Sequence, residues 1–183
     1  MGESSRTKSP RGFTLTELLV IVAVVVLLAA IVLPNLLRSR LAANEAAAIA
    51  SLNIINHAEA SYQVSYPANG YAETLAALGP PGPDEVCQSP TATHACLIGA
   101  SLAQANSPEH PKNGYWVSLR ASSHNAGGVV SSYVVWAAPE LHNKTGVRAF
   151  CSLEDGVIRF NVPMGNTEPS KRPADCVAMT PLE

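Results

Sequence analysis

Residues 18–37 read LLVIVAVVVLLAAIVLPNLL, a run of twenty residues without a charge. As an α-helix, which rises about 1.5 Å per residue, this run is about 30 Å long, the thickness of the hydrocarbon core of a bilayer. Charges return directly after it, at Arg38 and Arg40. The run concentrates the aliphatic residues of a 183-residue chain that is 47% hydrophobic and only 14% charged. We therefore predict one membrane-spanning helix near the N-terminus.

The charges on the two sides of this run differ in sign. The first twelve residues carry Arg6, Lys8 and Arg11 against Glu3, a balance of +2. From residue 41 onward there are 7 Lys or Arg and 12 Asp or Glu, a balance of −5. Because basic flanks stay on the cytoplasmic side of a membrane, we expect a cytoplasmic N-terminus and an exported acidic domain. An acidic domain also argues against general nucleic-acid binding, which needs a basic face.

A second helical stretch is predicted over residues 41–66, which are rich in Ala and free of Gly and Pro. Its apolar residues recur at helical spacing on one face. They are Ala48, Leu52, Ile55, Ala58, Tyr62 and Tyr66. The residues expected to interrupt this pattern are polar, for example Asn44, Glu45, Asn53, Asn56 and Glu59. Pro67 and Gly70 are predicted to end the helix.

After residue 114 the apolar residues no longer recur at helical spacing, and their pattern is typical of β-strands. Four segments have strand-like composition, residues 115–121, 132–137, 147–153 and 157–162. Asp155-Gly156 between the last two predicts a hairpin. Residues 67–114 are predicted to be mainly loop, with a short helix or turn at 71–78. A long helix followed by four strands indicates the α+β class, with an antiparallel meander packed on the helix.

Three residues of the N-terminal region need a joint explanation. Gly12 lies at the border between the basic N-terminal residues and the apolar segment 13–40, Glu17 lies on the apolar side of that border, and Pro34 lies late in the apolar segment. A signal peptide or a plain anchor would explain the apolar run alone, but neither has a use for Glu17, whose burial in lipid costs free energy. Cleavage between Gly12 and Phe13 would create an α-amino group that is largely protonated at neutral pH. That amine on a neighbouring subunit could pair with Glu17 and set the register between helices.

Residues 11–19, RGFTLTELL, resemble the processing motif of type IV pilins and type II secretion pseudopilins. The strong resemblance covers about residues 11–47, and a weaker one extends through residue 79. It implies a pilin-like fold in which residues 1–12 form a prepilin leader, residues 13–40 a transmembrane and filament-core helix, and residues 41–183 an exported domain. Within that domain we expect the helix 41–66, the loop 67–114, the sheet 115–162 and a disulfide-linked tail at 163–183.

The resemblance also implies how this N-terminus works. A prepilin peptidase would cut after Gly12 and N-methylate Phe13. Glu17 would pair with the Phe13 amine of an adjacent subunit. Pro34, which lacks an N–H, would kink or locally melt the helix near residues 30–34.

The partners implied are copies of the same chain in a helical filament, the prepilin peptidase, an inner-membrane assembly platform with its ATPase, and possible minor pilins. Subunits would wait in the inner membrane and end in a surface or periplasmic filament. The first hypothesis is therefore a structural pilus subunit. The alternatives are a secretion pseudopilin, a component of a periplasmic piston, and a non-polymerising exported binding module on a plain anchor.

All four cysteines lie in the expected exported domain: Cys87, Cys96, Cys151 and Cys176. An even number in an oxidising compartment predicts two disulfides. Three connectivities are possible, and the local one joins the first two and the last two. Zinc binding is the alternative, although no pair has the C-x-x-C spacing typical of such sites. We find no catalytic motif, and we expect a non-enzymatic protein without metal or cofactor.

Overall fold

The structure is a computed structural model that describes residues 12–83, 85, 87–165 and 172–182, and at Pro34 the backbone only. Apart from Gly12, the predicted leader lies outside the described residues, as does part of the predicted tail. The chain divides into two units, Met1–Ser39 and Arg40–Glu183.

The first helix, α1, spans Leu15–Ser65 and so joins the two stretches that the sequence predicts to be helical. It contains no Gly, and its single proline, Pro34, does not end it. The backbone is helical through residues 30–34. The kink or local melting expected from Pro34 stays a prediction.

In the second unit, α1 buries the apolar face that its sequence predicts. The buried residues recur every three or four positions: Ala48, Leu52, Ile55, Ala58 and Tyr62. They form one cluster with Val117, Val135 and Phe150 of the sheet, and Tyr66 is partly buried against it. Full burial of one Leu or Ile side chain contributes about 1.5–3 kcal/mol. This contact is the main attachment of the helix to the sheet.

In the described part of the chain the sheet has five antiparallel strands in sequential order. The strands are β1 Tyr115–His124, β2 Val130–Pro139, β3 Ala149–Leu153, β4 Arg159–Asn161 and β5 Thr180–Pro181. The α+β class and the meander are confirmed, but the sequence predicted only four strands. The fifth strand, β5, is two residues long and contains Pro181, so composition gives no signal for it.

The turn between β3 and β4 contains the predicted Asp-Gly pair. Gly156 has a φ of 71°, a left-handed conformation that glycine adopts without a steric cost. Asp155 Oδ1 accepts a hydrogen bond from the N–H of Val157 at 2.9 Å, and its carboxylate pairs with Arg159. The hairpin therefore forms where the sequence places it.

Among the described residues, three short helices lie in segments that the sequence predicts to be mainly loop or tail. They are α2 Leu75–Leu78, α3 Ala100–Ala103 and α4 Pro173–Val177. The first was expected as a short helix or turn, whereas α3 and α4 were missed. Each has at most five residues, too few for a hydrophobic period to be read.

The sheet face opposite α1 carries a second, smaller core. It consists of Val134, Trp136, Cys151, Leu153, Cys176 and Met179. The disulfide between Cys151 and Cys176 joins β3 to α4, so the tail covers this face. Trp116, Trp136 and Phe150 are all buried, as the sequence predicts for the core of the sheet.

Glu45 of α1 is buried where it meets the start of β3, although the sequence placed it among the polar interruptions of the helix. Its Oε1 accepts hydrogen bonds from the N–H groups of Val147 at 2.9 Å and Arg148 at 3.1 Å. Its Oε2 lies 2.8 Å from the guanidinium of Arg148. Burial alone would raise the pKa of Glu45, but these three interactions outweigh it, and the pKa falls below its ordinary value.

Glu59 of α1 is also buried, with no exposed surface. Its Oε2 accepts one hydrogen bond, from the N–H of Ala72 at 2.8 Å. Its Oε1 is buried without a hydrogen-bond partner among the described residues. Burial raises the pKa of Glu59 to about 8, although the hydrogen bond from Ala72 acts in the opposite direction.

Two amide side chains of α1 make further contacts, one with the segment between β2 and β3 and one with the sheet itself. Asn44 donates a hydrogen bond to the carbonyl of Thr145 at 2.9 Å. Asn56 donates to Ser152 Oγ at 2.9 Å and accepts from the Tyr133 hydroxyl at 3.1 Å. Polar residues that interrupt the apolar pattern of α1 therefore contribute to fixing the helix on the second unit's sheet and loops.

Candidate functional site

The start of α1 is closed by a local hydrogen-bond pattern that involves Glu17. The N–H of Glu17 donates to Thr14 Oγ1 at 3.2 Å, and the Thr14 hydroxyl lies 3.5 Å from Glu17 Oε2. The carbonyl of Thr14 accepts the first helical hydrogen bond, from Leu18 at 3.1 Å. Thr followed by Glu three positions later is the pattern of a capping box. The spacing of Thr14 and Glu17 is visible in the sequence, but the prediction for Glu17 rested on its charge alone.

Gly12 and Phe13 lie just ahead of the helix and are exposed, Phe13 to 73%. A Cβ atom added at Gly12 would meet no atom within 4 Å. The fold of the described chain therefore does not require glycine at this position. The structure brings Gly12, Phe13 and Glu17 together at one helix end.

Pro34 is not part of this cluster, because it lies seventeen positions after Glu17, about 25 Å along a helix. Its missing N–H leaves the carbonyl of Ala30 without the usual helical donor. At the next position, the side chain of Asn35 donates to the carbonyl of Ile31 at 3.3 Å. An extra donor thus supports the helix next to the residue that weakens it.

The apolar side chains of the first unit are exposed along the helix. Leu15 is 81% exposed and Leu27 is 68% exposed. Soluble monomeric proteins rarely expose an apolar surface this continuous, and larger patches mark contacts with a membrane or with other chains. Among the described residues, α1 is long and apolar enough to cross a membrane. The only charge between residues 12 and 37 is that of Glu17.

The cysteines of the second unit are paired locally, Cys87 with Cys96 and Cys151 with Cys176. All four thiols are therefore occupied and none is free to bind a metal. In the part of the chain that the structure describes, no group of three or more His, Cys, Asp or Glu is arranged to hold a metal ion.

Comparison with known proteins gives a match at the N-terminal cluster. Residues 7–33 match the family model described as the prokaryotic N-terminal methylation motif. The resemblance to type IV pilins is confirmed. The type IV wide pilus major component PilA4 of Thermus thermophilus is 39% identical to this chain over 71 residues. No solved structure gives a significant match.

The similarity to this pilus component is partial. The aligned region is 39% of this chain and 53% of the Thermus protein, so the chain spans about half the length of that curated relative. The methylation motif covers Gly12, Phe13 and Glu17, the three residues that the structure places at one helix end.

Proposed function

We propose that the chain is a structural, non-enzymatic subunit of a type IV pilus or pilus-like filament. The observation that carries this proposal is the match of residues 7–33 to the methylation motif, across the border between Gly12 and Phe13. The similarity to a wide pilus major component supports the same assignment. The assignment rests on the N-terminal part of the chain.

In this proposal a prepilin peptidase cuts after Gly12 and methylates the new amine of Phe13. The exposure of both residues and the open space around Gly12 support this role. The described fold does not require glycine there, which agrees with a small residue that serves recognition by the peptidase.

Glu17 sets the register between subunits in the same proposal. It is the only charge in an otherwise uncharged segment, and its carboxylate faces no cation among the described residues of its own chain. The protonated Phe13 amine of an adjacent subunit supplies that cation. The Thr14 hydroxyl, 3.5 Å away, is the local partner of the carboxylate before assembly.

The exposed apolar helix has two successive environments in this scheme. Before assembly it spans the inner membrane, with the acidic domain outside, and an assembly platform with its ATPase extracts it into a filament. Lipid and helix bundle are similarly apolar, so transfer between them is nearly neutral in hydrophobic terms. Helix packing and the Glu17 pair then decide assembly, with copies of the chain and minor pilins as the partners.

The most direct test is mass spectrometry of the native N-terminus. We expect a chain that begins at Phe13 and carries one methyl group on its amine. A native chain that retains residues 1–12 would contradict the proposal and revive the plain membrane anchor. The variant Gly12→Ala is expected to be processed, whereas a bulky or charged residue at this position should leave full-length precursor on a gel.

The capping box calls for a matched pair of variants at position 17. Glutamine can keep the side-chain contact with the Thr14 hydroxyl but carries no charge, whereas alanine removes both the contact and the charge. The hydrogen bond from the N–H of residue 17 to Thr14 Oγ1 is a backbone bond and remains in both variants. We expect Glu17→Gln and Glu17→Ala to be cleaved, to stay in the membrane and to form no filaments. Normal filaments from Glu17→Gln would show that capping, and not charge pairing, is what Glu17 contributes.

The secretion pseudopilin is the second candidate, because pseudopilins share the same N-terminal chemistry. The similar Thermus protein is a pilus component, which favours the pilus subunit. Electron microscopy separates the two candidates. Long surface filaments labelled by an antibody to the second unit support the pilus subunit, whereas their absence together with a secretion defect in a deletion strain supports the pseudopilin.

A further inference from the structure

Glu59 is an unusual residue for the core of a small domain. Its side chain has no exposed surface, and Oε1 is buried without a hydrogen-bond partner among the described residues. Its single hydrogen bond comes from the N–H of Ala72, in the segment that leaves α1. A carboxylate in this setting is unfavourable because a buried charge needs a cation or several donors.

The groups that face Glu59 supply no positive charge. The titratable side chains that its charge acts on are phenols, Tyr62 of α1 and Tyr133 of β2. Tyr71, in the segment after α1, lies edge-on against Tyr133 with the ring centres 4.9 Å apart. The charged residues that act on these phenols are acidic and disfavour a further negative charge: Glu73, Glu154 and Asp155. No Lys or Arg of the described chain acts on Glu59.

Residues 66–74, which we call the exit loop, connect α1 to α2 and lie against the start of β2. The N–H of Tyr71 donates to the carbonyl of Val130 at 3.1 Å, and the N–H of Val130 donates to the carbonyl of Asn69 at 2.9 Å. Gly70, with a φ of 78°, permits this close approach. The hydrogen bond from Ala72 to Glu59 is a polar link between the exit loop and the C-terminal part of α1.

Water can reach this region if the exit loop shifts. Asn69 and Tyr71 line a surface cavity of about 370 Å³, together with Tyr62 of α1. The exit loop residues on both sides of Gly70 therefore border open surface, and Ala72, the donor to Glu59, follows one of them directly.

We propose that Glu59 and the exit loop form a pH-sensitive latch, in which the neutral carboxyl keeps the loop closed on α1. When Glu59 loses its proton to solvent, the loop opens so that water can hydrate the carboxylate. This inference goes beyond the proposed function and does not depend on it, since it concerns only the second unit.

The pKa of Glu59 agrees with this arrangement. Burial raises it to about 8 from an ordinary value of 4.5, so the closed loop holds a proton at neutral pH that an open loop would release. Where the closed state binds one proton more than the open state, the closing equilibrium weakens about tenfold for each pH unit. Above the folded pKa both states are ionised and the dependence levels off.

Amide hydrogen exchange of the full chain in detergent micelles, followed by NMR at several pH values, tests the latch. After correction for intrinsic exchange, we expect the protection factors of Tyr71 and Ala72 to fall about tenfold per pH unit between about pH 5 and pH 8. In Glu59→Gln the same protection factors should not change with pH. Glu73→Gln, which removes an exposed acid of the same loop, should keep the wild-type slope and is the matched control.

A second measurement on the wild-type chain keeps the test decisive even if Glu59→Gln does not fold. The ¹³C shift of the Glu59 carboxyl group should titrate with a midpoint near 8. A midpoint near 4.5, or protection of Tyr71 and Ala72 that is constant with pH in the wild type, overturns the latch. The latch is also overturned if the protection factors of Tyr71 and Ala72 still fall with pH in a folded Glu59→Gln variant.

Discussion

Glu45 and Glu59 are buried on the same helix and packed against the same sheet, yet their surroundings have opposite effects. Glu45 meets two backbone N–H groups and the guanidinium of Arg148. Glu59 meets one N–H group, from Ala72, and its other oxygen has no hydrogen-bond partner among the described residues. The pKa is lowered in the first case and raised to about 8 in the second.

The difference teaches that burial alone does not decide the charge of a core carboxyl group. Burial raises the pKa of both residues, and the number and charge of the donors decide the outcome. Glu45 is a charged attachment between helix and sheet, whereas Glu59 is a neutral polar group at neutral pH. The two ends of the helix–sheet contact therefore differ in their response to mutation and to pH.

The largest effect is expected from Glu45→Ala. This change leaves Arg148 partly buried without its partner and removes the acceptor from two N–H groups. Breaking a buried ion pair in this way costs about 3–5 kcal/mol of unfolding free energy. Guanidinium unfolding of the full chain in micelles, followed by the fluorescence of Trp116 and Trp136, measures it. If the free energy of unfolding falls by less than about 1 kcal/mol, Glu45 contributes no more than an exposed ion pair does.

The pH dependence of stability should separate the two glutamates. The folded pKa of Glu59 is raised, so its contribution is fully present below pH 4.5 and is lost as pH rises through about 8. The folded pKa of Glu45 is lowered, so its contribution is present above pH 4.5 and is lost as pH falls through the folded value. We expect stability to be highest in mildly acidic solution, from the same unfolding measurement across pH.

Glu59→Gln sharpens this profile because glutamine still accepts the hydrogen bond from Ala72 but cannot ionise. The alkaline loss of stability, about 2–4 kcal/mol between pH 5 and pH 8 by proton linkage, should disappear while the acidic loss remains. In Glu45→Ala the acidic loss of stability should disappear while the alkaline loss remains. A Glu59→Gln variant whose stability still declines toward pH 8 would assign the alkaline loss to another group.

A smaller effect is expected from Asn56→Ala, which lies between the two glutamates along α1. The change removes two hydrogen bonds to side chains of the sheet, those with Ser152 and Tyr133. Because neither partner is charged, the loss should be about 1–2 kcal/mol and independent of pH. A pH-dependent loss would mean that Asn56 is coupled to Glu59.

The smallest effect is expected from Glu73→Gln. Glu73 lies 3.8 Å from His124, but its side chain is 71% exposed. Exposed ion pairs contribute between zero and about 1 kcal/mol, so the unfolding curve should move by less than about 0.5 kcal/mol. A larger shift would reveal a role for Glu73 in holding the exit loop.

The regular parts of the fold follow from the sequence because each has a repeat that can be counted. Ala48, Leu52 and Ile55 recur at helical spacing and are all buried. The Asp155-Gly156 pair marks a turn by its chemistry. The N-terminal cluster was also predictable, since its residue types follow one another within a few positions.

The rest depends on partners that are distant in sequence. Glu45 is a polar interruption of the helix until Arg148, 103 positions later, is beside it. Glu59 lies on the buried face, and only the path of the exit loop decides that Ala72 meets it. The strand β5 and the helix α4 are held by pairing with β4 and by a disulfide, which leave no periodic pattern in so few residues.

The meander of the sheet has a consequence for the order of events during folding. Its strands pair with their neighbours in sequence, so they can associate as successive local hairpins. The polar contacts of α1 with the segment before β3 instead close loops of about 100 residues, such as the 101 positions from Asn44 to Thr145. Closing such a loop costs chain entropy before any contact forms. We therefore expect the sheet to assemble first and α1 to dock last, which leaves its apolar face uncovered in the intervening time.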